Sequence, residues 1–164
     1  MTTMLQAHGI AARLPGGFEG RIFRRPVLGD EVPRPVAHFA TFALPADVGD
    51  FGGGAVTLMG PDDIFAVLFE YGPESVGTAL FARQGMPRRL GPDDFRPAVL
   101  RRGLGAQSGT QWFFVEQGRP FTLYAVLGHH GRRFASVPRL NALLGHIVVD
   151  PADTAAVQAT GLAP

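Results

Sequence analysis

A chain of 164 residues that is 46% hydrophobic can bury a core without a disulfide or metal staple, and is too apolar to stay unfolded. It contains no Cys, which excludes disulfides, thiolate zinc sites, iron–sulfur clusters and a cysteine nucleophile together. The formal net charge of +1 speaks against a nucleic-acid binder, and no apolar run approaches the roughly 18 residues of a membrane span.

Residues 1–12 hold no Arg or Lys and lead into no unbroken apolar run before Pro15-Gly16-Gly17. No secretory signal is therefore expected, and the expected compartment is the cytoplasm. Residues 5–14 read as a short helix ending at that breaker. Residues 18–24 alternate Phe18, Gly20 and Ile22 with Glu19 and Arg21, the period of a strand near an edge. A loop rich in Pro and Gly follows over 26–35. Residues 36–44 then predict a second strand, closed by Pro45.

After a glycine-rich loop over 47–54, residues 55–59 and 64–71 flank Gly60-Pro61-Asp62-Asp63 and predict a hairpin. A helix over 61–69, capped by the acidic pair, is the competing reading. Residues 74–83 carry Val76, Leu80 and Phe81 at helical spacing. Residues 84–97 read as loop, and 99–102 as a short strand. The clearest element is 110–127, two aromatic and β-branched runs joined by Gln117-Gly118-Arg119, a hairpin expected at the sheet centre. Residues 134–144 place Val137, Leu140, Leu143 and Leu144 on one helical face, with Gly145 where a left-handed cap is wanted. Residues 147–149 predict a last strand.

The order predicts one α+β domain over residues 1–149. It would have an antiparallel sheet of about five to seven strands with helices packed on it, an α/β/α-like sandwich. Residues 150–164 read as a flexible tail. Gly-Pro-Asp-Asp occurs at 60–63 and again at 91–94 between unlike flanks, so one turn is reused and no unit is duplicated.

All fifteen basic residues are Arg, as in a GC-rich genome. They are unevenly spread. Residues 47–74 hold six acidic residues and no Arg, whereas 83–139 hold ten Arg against Asp93, Asp94 and Glu116. The two stretches would either pair inside the fold or form a two-signed surface suited to head-to-tail contacts.

The chemical motifs fail on residue type or spacing. His129-His130 are adjacent on an extended chain, so they point apart and chelate poorly. Ser108 lacks the glycines two before and two after it that a nucleophile elbow needs, since Ala106 and Thr110 stand there. Gly52-Gly53-Gly54 precedes a strand instead of a helix, which is the wrong order for a phosphate loop. Asp62-Asp63 and Asp93-Asp94 suit turn stabilisation. The four Arg pairs (24–25, 88–89, 101–102 and 132–133) would form an anion site only if they converged.

Leu14-Pro15-Gly16-Gly17-Phe18-Glu19-Gly20-Arg21-Ile22-Phe23 and residues 118–128, Gly-Arg-Pro-Phe-Thr-Leu-Tyr-Ala-Val-Leu-Gly, resemble segments of small cytoplasmic proteins of unknown function from GC-rich actinobacteria. The likeness spans most of residues 9–150. The hairpin-then-helix order is also similar to PsbP-like domains, which implies an antiparallel sheet between helices and no activity.

With no catalytic motif standing and no cofactor implied, the expected function is a non-catalytic protein-interaction or assembly module, with a protein partner or self-association. Trp112 with Arg101 or Arg102 is its candidate patch, because Trp and Arg dominate interface energetics. The rival is a small-ligand-binding protein or enzyme with a pocket between sheet and helix. Its candidate lining is His38, Glu70, Gln111 and Arg119, polar residues in otherwise apolar strands.

Overall fold

The computed structural model describes residues 2–25, 28–29, 31–46, 54–99 and 105–153. The described residues are mixed α+β with two antiparallel sheets, one of three strands and one of five. No described helix is long and apolar enough to cross a membrane.

Residues 5–14 form strands where a helix was expected. β1 (Thr3–Ala7) and β2 (Ile10–Leu14) pair around His8 and Gly9, whose φ angles are 52° and 73°. Positive φ at both turn positions matches the twist of a two-residue hairpin. Ile10, Ala12 and Leu14 are all buried, the period of two that a strand requires. β8 (Ile147–Val149) joins β2 on its other side.

The larger sheet has the order β3 (Glu19–Arg24), β4 (Pro35–Ala40), β5 (Ile64–Glu70), β7 (Arg119–Leu127), β6 (Ser108–Glu116). The expected 110–127 hairpin is present, turning at Gln117 and Gly118 with φ angles of 51° and 76°. It does not occupy the centre, because β6 is an edge and β5 is central. Chain segments cover the outer side of β6 at both ends. Val115 exchanges strand-like bonds with Arg83 and Gly85, and Gly109 does so with Arg96. Covering an edge in this way blocks unwanted strand pairing.

Each central strand is buried on both faces. Ala37, Phe39, Ile64, Ala66, Leu68, Phe121, Leu123, Ala125 and Leu127 join one core with Ile10, Leu14 and Ile147 of the small sheet. Val36, Ala40, Phe65, Val67 and Phe69 form a second cluster on the opposite face, covered partly by Phe42, Leu44, Val56 and Met59. Burial on both sides is why β4 and β5 read as near-continuous apolar runs.

Of the two expected helices, one forms. α1 (Arg133–Leu144) sends Val137, Leu140, Leu143 and Leu144 into the first core. Pro138 removes the N–H that Phe134 would bond, but both residues are exposed, so water reaches that carbonyl. Gly145 has φ −64°, not the expected left-handed value. Arg88 serves the helix end instead, its Nη1 donating to the carbonyls of Leu144 at 3.1 Å and Ile147 at 2.6 Å. A cation there also complements the helix dipole. Residues 74–83 form two 3-10 turns, Pro73–Ser75 and Ala79–Phe81, separated by Gly77 at φ 87°. The first strand of the expected 55–71 hairpin is also a 3-10 turn, Val56–Leu58. Residues 97–99 form another, and 100–102 lie outside the described residues.

The repeated tetrapeptide behaves as one reused device. Gly60 N–H donates to Asp63 Oδ2 and Gly91 N–H to Asp94 Oδ2, each at 2.7 Å. The first copy docks against Gly128, where an added Cβ would stand only 1.8 Å from the Gly60 carbonyl oxygen. The start of the expected tail is tied down, with Asp150 N–H bonded to Gly9 and Ala152 N–H to Gln117.

Candidate functional site

Glu70 ends β5 and Arg119 begins β7, both on the face that carries Leu68 and Phe121. They form a buried ion pair in fork geometry: Arg119 Nε donates to Glu70 Oε1 at 3.0 Å and Nη2 to Oε2 at 2.7 Å. The remaining donors go to backbone carbonyls. Nη1 reaches Gly9 at 3.0 Å and Asp150 at 3.3 Å, and Nη2 reaches His8 at 3.1 Å. Five bonds use all five guanidinium N–H groups, and only Arg supplies them in one rigid plane. The pair therefore joins the large sheet to the turn of the small one, a structural role.

The other two ligand candidates lie elsewhere. His38 faces the second cluster, its ring edge-on to Phe23 at 5.1 Å and Phe65 at 5.5 Å. That is the opposite side of the sheet from Glu70 and Arg119. Gln111 is exposed on β6. The four residues do not converge.

Trp112 is half-buried against the first core, its Nε1 donating to Thr110 Oγ1 at 3.0 Å. Arg83 lies over its ring at 5.0 Å, a partner that no sequence spacing signals. Arg101 and Arg102 lie outside the described residues. Ser108 is fully buried, so a substrate cannot reach its hydroxyl. His129 Nδ1 accepts the Gly131 N–H, fixing a turn. Among the described residues no three His, Asp or Glu side chains are placed to hold a metal.

The acidic and basic stretches meet at two described places. Glu70 binds Arg119. Asp62 pairs with Arg132, and its carbonyl accepts from Arg139.

A cleft of about 580 Å³ opens where β5 runs out, between the β3–β4 connection and residues 70–74. Its floor is Phe69 and Tyr71, whose rings lie 5.0 Å apart. Tyr71 also meets Phe81 at 5.2 Å, which fixes it from behind. Arg25 sits over the Phe69 ring at 5.1 Å. Burial pushes the Tyr71 hydroxyl above the usual tyrosine range, and the nearby Arg25 partly opposes that rise. The phenol is therefore a hydrogen-bond donor at neutral pH. Arg34, Glu31 and Glu74 complete the charged rim. Among the described residues these three make no ion pair or side-chain hydrogen bond. Leu28 and Val32, on the same β3–β4 connection, are 94% and 62% exposed.

No family model matches this chain, and neither does any curated protein or solved structure.

Proposed function

We propose that the chain is a non-catalytic protein-interaction module whose contact surface is the β3–β4 connection and the cleft beside it. The observation that supports this is the outward placement of Leu28 and Val32, with Val32 bordering the cleft. Apolar side chains held out to water on a loop carried by a rigid sheet are a typical binding arrangement. Pull-down from the native host with wild type and with Leu28→Ser/Val32→Ser tests it, alongside light scattering of both proteins. A partner, or a dimer, lost from the double variant supports the reading. Identical capture and identical mass for the two proteins remove it.

The cleft supports a second reading, a small-ligand site. Its volume falls within the range of about 300–1,000 Å³ usual for such sites, and its polar groups surround an apolar floor. Thermal shift against a metabolite library, with Arg34→Ala as the control, tests this directly.

A further inference from the structure

We infer that the cleft at the end of β5 takes a small apolar zwitterion, a molecule with one carboxylate, one ammonium group and a hydrocarbon side chain. This rests on the small-ligand reading of the cleft.

The lining carries both signs of charge. Arg34 and Glu31 belong to the β3–β4 connection and Glu74 to the segment after β5. Glu70 also lines the cleft, but its charge is met by Arg119. A plain anion would be drawn to Arg34 and repelled by the glutamates, and a plain cation the reverse. A ligand with both groups meets attraction at both ends, which is how charge arrangement selects among ligands of similar size. The Tyr71 hydroxyl adds a donor on the carboxylate side.

The floor accounts for the rest of the ligand. Phe69, Tyr71 and Val32 line the cleft, and the Arg25 guanidinium lies 5.1 Å over the Phe69 ring. Gly72 contributes by what it lacks. A Cβ there would collide with the Glu74 carboxylate, so a bare glycine leaves room for that group against the backbone.

Calorimetric titration with L-leucine, N-acetyl-L-leucine (carboxylate only), L-leucinamide (ammonium only) and leucyl-leucine decides the matter. The expected result is saturable leucine binding, at least tenfold weaker for each blocked form. Arg34→Ala should abolish the preference for leucine over leucinamide, and Glu74→Gln the preference over N-acetylleucine. A structural role alone would not exchange the selectivities in this way. Equal binding by leucyl-leucine keeps the charge pattern and makes a peptide the source. If a blocked form binds as tightly as leucine but responds to Arg34→Ala, the cleft stands and the zwitterion class falls. If none of the four binds, the zwitterion class is overturned, and if no compound in the thermal-shift library responds to Arg34→Ala either, the small-ligand reading falls with it.

Discussion

Arg119 grips Glu70 with two bonds and holds the backbone of His8, Gly9 and Asp150 with the other three. Both side chains are about nine-tenths buried. Removing one partner leaves an uncompensated buried charge, whereas removing both does not. Arg119→Met should cost about 3–5 kcal/mol in urea unfolding, and Glu70→Gln/Arg119→Met clearly less than that. If the double variant is as unstable as the single one, the lost backbone bonds outweigh the charge.

The Gly60–Asp63 turn packs on Gly128 so closely that no side chain fits. Gly128→Ala must push two backbone segments apart. A loss of about 3 kcal/mol is expected, at the upper end of overpacking costs. Gly16→Ala, where an added Cβ meets nothing, is the matched control and should be close to neutral.

Tyr71 and Tyr124 are the two tyrosines of the chain, so phenolate absorbance reads them alone. Burial raises both above 10.0. The fold favours the neutral phenol, so this stabilisation is fully present below pH 10.0 and is lost as pH rises through the native values. The native protein should titrate later than the same chain in urea. Arg25→Ala should raise Tyr71 further, and coincident native and urea curves would contradict the assignment.

Asn141 on α1 acts as a backbone mimic. Its Oδ1 accepts the Leu90 N–H at 2.8 Å and its Nδ2 donates to the Leu90 carbonyl at 2.9 Å. Asn141→Leu leaves both groups without partners, at about 1–3 kcal/mol for an unmet buried group. Amide exchange at Leu90 should accelerate more than exchange in β5. Uniform acceleration would show that the loop opens only when the whole domain unfolds.

The elements legible in the sequence are those set by local pattern. The β6–β7 hairpin announces itself by aromatic and β-branched runs around Gln117-Gly118, and α1 by its apolar spacing. In the β1–β2 hairpin Ala7, Ala11 and Ala12 suit a helix as well as a strand, so the local pattern does not distinguish the two. What decides for strands is pairing of β2 with β8, far along the chain, together with the His8-Gly9 turn. The supposed helix over 74–83 contained its own warning in Gly77, whose positive φ breaks the run. Glu70 and Arg119 stood out as polar residues in apolar strands, and mutual pairing was one readable outcome. The cleft was not legible, because Arg25, Arg34, Tyr71 and Glu74 come together only where two connections meet at the end of the sheet.

The pairing of Ile10–Ala12 with Ile147–Val149 also sets an order of events. β2 has one hydrogen-bonded neighbour close in the chain and another that emerges from the ribosome after every other described strand. Until then Ile10, Ala12 and Leu14 lack one wall of the core they occupy. The carbonyls of His8 and Gly9 can meet Arg119 as soon as β7 is made, so that side chain can hold the early hairpin in place before its last neighbour exists. Contacts of such long range are entropically costly to close and slow to form. A nascent chain stalled before residue 147 would display the inner face of its first hairpin to whatever chaperone or protease is near.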